Sequence, residues 1–144
     1  MKIQKVSQVT DEIYEAVIRL VPFLGAHKPL PSRVDLTALV ESESSTLLIA
    51  RVADEDSPIA GMLNISIYRA PTGIRSIVED VVVDPEYRGR GIAKALLQEA
   101  MNLAREAGAS GIALTSNPQR VEANQLYLRM GFKKRETNAY YYPL

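Results

Sequence analysis

The 144-residue chain contains no cysteine, no tryptophan and a single histidine. Without thiols it can form no disulfide, no thiolate metal site and no cysteine nucleophile. The lone imidazole, His27, also argues against a histidine-based metal site, so no metal is expected. Net charge is missing too. Lys plus Arg and Asp plus Glu number 17 each, so no overall field draws the chain to nucleic acid or to an anionic membrane. No apolar run approaches membrane-spanning length, and Met1-Lys2-Ile3-Gln4-Lys5 lacks the apolar region of a secretion signal. These absences predict a cytoplasmic protein with neither nucleic-acid nor membrane partners.

What remains is an ordinary globular composition, 47% hydrophobic and 24% charged, at a length suited to one domain over residues 1–144. Ile3 to Val6 reads as a first strand. Thr10 caps a helix carrying Ile13, Val17, Ile18 and Val21, which Pro22 ends. A Pro-rich stretch around Pro29 and Pro31 leads to a second helix, Val34 to Glu41. Leu47 to Val52, Ile59 to Tyr68 and Ile74 to Val83 are strands joined by short turns, which favours an antiparallel meander. The period then changes: Ile92, Leu96, Ala100, Leu103 and Ala107 mark one wide helical face ending at Gly108. Gly111 to Thr115 is a short buried strand. Asn117 as cap and Pro118 in the first turn start a helix that Gly131 stops. Phe132 and Tyr140 to Tyr142 read as two closing strands. The fold class is therefore α+β, with a mixed, mostly antiparallel sheet of about six to seven strands flanked by about four helices. An exposed edge in such a sheet favours a homodimer.

The most informative stretch is Asp84-Pro85-Glu86-Tyr87-Arg88-Gly89-Arg90-Gly91-Ile92-Ala93. It joins an apolar strand to a helix start through glycines and arginines. That arrangement aims backbone N–H groups at a phosphate, and the two guanidinium groups add forked donors. A dinucleotide turn would need a small residue where Lys94 stands in Gly89-x-Gly91-x-x-Lys94, and no Gly-Lys-Ser/Thr triplet exists for a P-loop. A basic turn that binds nothing is the bland alternative.

Further along, Asn124 and Tyr127 lie three apart and share a helix face. With these residues the chain resembles the GNAT family of N-acetyltransferases. Arg88-Gly89-Arg90-Gly91-Ile92-Ala93 matches the family's Arg/Gln-x-x-Gly-x-Gly/Ala signature for acyl-coenzyme A. Ala123-Asn124-Gln125-Leu126-Tyr127 with Gly131-Phe132 is similar to its second block. The order of elements agrees across nearly the whole chain. The resemblance implies acetyl-coenzyme A as cosubstrate and a primary amine of a small molecule or peptide as acceptor. It places the pyrophosphate on the turn Arg88 to Ala93 and the pantetheine arm along the backbone of Val81, Val82 and Val83. Asn117 and Asn124 would be amide partners for that arm, and Tyr127 would reach the sulfur.

Amine attack on a thioester needs a neutral nitrogen, and for a lysine-like amine deprotonation at pH 7 costs roughly 4–5 kcal/mol. Glu79 is the candidate base, by itself or through water. In regular alternation it would share a face with Ile77, Val81 and Val83, while Asp80 would face the other way with Val78 and Val82. An ordinary ion pair is the alternative for either carboxylate. Full proton transfer from Tyr127 to a thiolate is uphill by roughly 2 kcal/mol, so hydrogen bonding to the developing charge is its better role. The strand Ile77 to Val83 also resembles that of glucosamine-6-phosphate N-acetyltransferases. A coenzyme A-binding sensor without turnover is a third reading.

Overall fold

A computed structural model describes residues 1–144. In chain order it contains β1 (Lys2–Lys5), α1 (Asp11–Leu20), α2 (Arg33–Glu41), β2 (Ser45–Arg51), β3 (Ile59–Ala70), β4 (Gly73–Val83), α3 (Ile92–Glu106), β5 (Ala113–Leu114) and α4 (Val121–Arg129), with single 3-10 turns at Val21–Phe23 and Pro85–Tyr87. The five strands lie in chain order in one sheet. The first four are antiparallel and β5 runs parallel to β4. The meander and the single parallel crossover follow from the two periods in the sequence, two residues through β4 and about 3.6 through α3.

Local signals set the helix bounds. Thr10 accepts the amide of Ile13 at 3.2 Å to start α1, and Ser32 with Asp35 forms a capping box on α2. One face of the sheet packs on α3 and α4. Leu48, Leu63, Ile65, Val78 and Val81 there meet Ile92, Leu96, Leu97, Ala100 and Tyr127. The other face packs on α1 and α2 through Leu47, Ile49, Met62 and Val82, against Val17, Leu20 and Leu36. Gly61 lets α3 sit close on the sheet. A side chain there would lie 2.9 Å from the Val82 carbonyl oxygen and 3.2 Å from Ile92.

Three expectations are corrected. Phe132 and Tyr140 to Tyr142 form no strands, so the sheet has five rather than six or seven. The chain turns at Gly131 and folds Phe132 back onto α4. Its amide bonds the Tyr127 carbonyl at 3.0 Å, and its ring meets Tyr127 edge-on at 5.8 Å. Tyr140, Tyr141 and Tyr142 are 84–89% exposed, because β propensity alone does not make a strand without a partner edge. Second, α4 starts at Val121 rather than at Asn117. The Asn117 side chain instead closes a tight turn by accepting the amide of Gln119 at 2.9 Å. Third, the faces of β4 do not alternate regularly. Met62 pairs with Val82 but Asn64 pairs with Glu79, so β4 carries one extra residue in a bulge, with Asp80 at φ 54°.

Candidate functional site

The bulge changes which residues share a side. Val78 and Val81 both enter the core beneath α3, while Val82 points to the α1 side. Glu79 and Val81 therefore face opposite ways, contrary to regular alternation. Glu79 and Asp80 are both exposed. The left-handed backbone at Asp80 is one that Asp tolerates better than the β-branched residues around it.

Beside the bulge the sheet opens. Pairing of β4 with β5 stops at Val78 with Leu114. Val82 pairs with Met62 and the Asp84 amide bonds Ala60 O at 2.8 Å, so Val81 and Val83 turn their backbone groups away from β3. Their carbonyls are met from the open side by arginines. Arg120 Nη2 donates to Val81 O at 3.2 Å, and Arg88 Nε donates to Val83 O at 3.2 Å. A strip of β4 backbone thus faces a cleft that no strand fills. Arg120 was not among the sequence candidates. A cation at a helix N-terminus opposes the helix dipole and so signals another partner, here the β4 edge.

At the end of β4 the buried Asp84 carboxylate is paired with Arg19 of α1 and accepts the Glu86 amide at 3.0 Å. This fixes the turn that leads into α3. Gly89 and Gly91 adopt φ 75° and 78°, and a side chain at either would meet nothing within 4 Å. Their conformation, not crowding, requires glycine, and it leaves the loop open to an approaching group. The 15-residue α3 begins with no side-chain cap and no acidic residue in its first turn. Ala95 is the first amide to bond back, to Gly91 O at 3.0 Å, so the amides of Ile92, Ala93 and Lys94 have no helical partner. Arg88 and Arg90 stand exposed beside them, and Arg90 lies over the Tyr87 ring at 5.2 Å. An uncapped helix end with flanking cations fits a phosphate.

Across the cleft, the Asn124 amide donates to Asn117 O at 3.0 Å, tying α4 to the turn before it. Asn117 Oδ1 is already bonded, so its Nδ2 and the Asn124 Oδ1 are the groups left for an amide-bearing arm. Tyr127 is 6% exposed and packs in the α3 core. Burial pushes its pKa above the usual tyrosine value, and the nearby Arg120 charge opposes that only in part. The phenol therefore keeps its proton at neutral pH. Arg88 and Arg120 thus tie the turn before α3 and the start of α4 to the Val81–Val83 edge, and the Asn117–Asn124 bond joins that start to its preceding turn, whereas Glu79 points to the opposite face beside the bulge. Two hollows flank this region. One, of about 290 Å³, is lined by Lys94, Gln98, Leu126, Arg129 and Met130, and the other, of about 550 Å³, includes Arg19, Phe23, Asp84 and Tyr87.

Comparison with known proteins bears on the family and the fold. The model of the acetyltransferase (GNAT) family matches residues 10–132. The chain belongs to that family. Its five-stranded mixed sheet with four helices is the GNAT fold. Among curated relatives, human N-acetyltransferase 8 is 33% identical over 128 residues, covering 81% of this chain and 56% of that protein. Glucosamine 6-phosphate N-acetyltransferase of Trypanosoma brucei brucei is 37% identical over 59 residues, covering 41% of this chain and 38% of that one. The chain thus spans about half or less of these relatives. A solved aminoglycoside acetyltransferase from an uncultured soil metagenomic sample superposes with TM-score 0.84 at 19% identity, covering 99% of this chain and 95% of that one, and shares the fold. No helix is long and apolar enough to cross a membrane.

Proposed function

We propose that this GNAT protein is an acetyl-coenzyme A-dependent N-acetyltransferase acting on a primary amine of a small molecule or peptide. The carrying observation is the junction of an uncapped, arginine-flanked helix start with a strand whose Val81 and Val83 carbonyls face an open cleft. The amides of Ile92, Ala93 and Lys94, with Arg88 and Arg90, bind the pyrophosphate. The Val81–Val83 edge pairs with the pantetheine amides as an added strand, aided by Asn117 and Asn124. Acetyl-coenzyme A, when bound, supplies an acetyl thioester for direct amine attack.

The residues supply position and proton control. Glu79, itself or through water, takes a proton from the incoming ammonium. Tyr127 donates a hydrogen bond toward the sulfur as negative charge develops there. Its buried, protonated phenol supports that role. The products are the acetylated amine, coenzyme A thiol and one proton released to solvent.

The resemblance of the Ile77–Val83 strand and the match to the trypanosomal relative support a narrower second reading, an amino-sugar phosphate as acceptor. Thiol release from acetyl-coenzyme A across a panel of amines tests both. Amine-dependent release is the expected result, and glucosamine 6-phosphate as the best substrate would select the second reading. Tight coenzyme A binding with no release from any amine would make the protein a sensor instead.

A further inference from the structure

Buried polar atoms are almost always hydrogen-bonded, so an exception marks a place where a partner is missing. Asn64 on β3 is such an exception: its Oδ1 is buried and has no partner in the chain. It lies in a row across the sheet, with Leu47 of β2 on one side and Glu79 of β4 on the other, all three on the α1 face. Along that row cover falls away, from Leu47 at 4% exposure, through the partly buried Asn64, to the exposed Glu79. The next row on this face is Ser45, Ser66 and Ile77, and the one after it pairs Tyr68 with Arg75. Tyr68 is 48% exposed, so this end of the sheet is a shelf that the helices leave open.

At the bulge, then, two acceptors stand on paired residues of neighbouring strands, a buried amide oxygen without a donor and an exposed carboxylate at the shelf's edge. A protonated primary amine is their complement, with three N–H donors and no acceptor. We infer that Asn64 is a contact residue for the acceptor's amino group, its Oδ1 and the Glu79 carboxylate together holding the nitrogen at the bulge. This rests on the N-acetyltransferase reading above. It adds a residue from β3, a strand that contributes nothing to the donor side. It also fixes the acceptor's approach, over the α1 face toward the thioester in the β4–β5 cleft.

The test compares Asn64→Leu and Asn64→Asp with the unaltered protein in the thiol-release assay. The amines are putrescine, glucosamine 6-phosphate, an aminoglycoside and an alanine-terminated peptide, and the best of them is used. Asn64→Leu should raise the amine KM about tenfold or more while the acetyl-coenzyme A KM stays put. Asn64→Asp, which keeps an acceptor oxygen, should restore the amine KM toward its original value. Leu also removes an unsatisfied acceptor, so its Tm should rise by about 2–6 °C. An unchanged amine KM in Asn64→Leu, with the unaltered protein active, overturns this inference alone. A lowered Tm with equal rises in both KM values marks a merely structural residue and overturns it too. No release from any amine by the unaltered protein overturns this inference and the proposed function together.

Discussion

From Gly73 to Val78, β4 pairs with β3 throughout and, over Ile77 and Val78, with β5 as well; from Glu79 to Val83 it pairs with β3 alone. Both halves are rich in β-branched apolar residues, Ile and Val in the first and Val in the second. What separates them is one extra residue in the bulge and the early end of β5. The first half spends its backbone groups on the sheet, and the second half has groups to offer a ligand. The proposed site sits where the ladder is broken, with acceptor side and donor side on opposite faces of the same few residues.

The largest break in this comparison comes from Tyr127, which is buried in the core beneath α3 with Arg120, the partner of the open half of β4, nearby. Tyr127→Phe keeps the buried ring and removes only the hydroxyl, so turnover should fall about 10²-fold with donor affinity nearly intact. Steady-state kinetics decide it, and unchanged kcat would remove Tyr127 from the chemistry. Next is the double variant Arg88→Ala with Arg90→Ala. Both side chains are exposed, and together they should cost roughly 2–3 kcal/mol of coenzyme A affinity, with the fold untouched. Titration calorimetry measures this, and equal affinity would contradict the phosphate assignment.

The paired half should answer in the opposite sense. Val78→Ala removes a methyl pair at 4% exposure in the α3 core and should lower stability by about 2 kcal/mol without changing donor affinity. Urea unfolding and calorimetry on one preparation would separate the two effects. The bulge itself is tested more gently. At φ 54°, Asp80→Val should destabilise by about 1–2 kcal/mol, while Asp80→Gly should be neutral or slightly stabilising. Equal midpoints for the two would mean that Asp80 does not hold a left-handed backbone.

Much of this was legible in the sequence because it is local. The strands of the meander, the α3 face and the arginine turn each announce themselves within a short stretch of chain. What escaped depends on partners distant in the chain. The bulge at Asp80 appears only once β3 is laid beside β4, since a ladder shift leaves no mark in a run of Val and Ile. Arg120 looks like a surface residue until the Val81 carbonyl is placed next to it. Asn64 sits unremarked between Leu63 and Ile65, and its missing partner is visible only in three dimensions. The consecutive tyrosines at 140 to 142 carry β propensity, but no edge receives them. The helix cap at Asn117 failed for a local reason instead: an Asx turn competes for the same side chain.

The far edge of the sheet provides the smallest effect and a control on the whole comparison. There Arg51, 6% exposed, donates to both Glu12 oxygens at 2.6 and 2.9 Å and to Gln4 at 2.9 Å, joining α1, β1 and β2. The Arg51 hydrogen bonds hold the Glu12 carboxyl below its ordinary value of 4.5, against a smaller opposing effect of burial. A lowered carboxyl pKa contributes stability that is present above the unfolded value and lost as pH falls through the folded one. Because the Glu12 side chain is 59% exposed, its share should be about 0.5 kcal/mol or less. Urea midpoints followed from neutral pH into acid should fall less steeply in Glu12→Gln than in the unaltered protein, with coenzyme A affinity equal in both. If Glu12→Gln weakened coenzyme A binding as much as the arginine variants do, binding would be tracking global stability, and the contrast between the two halves of β4 would lose its functional meaning.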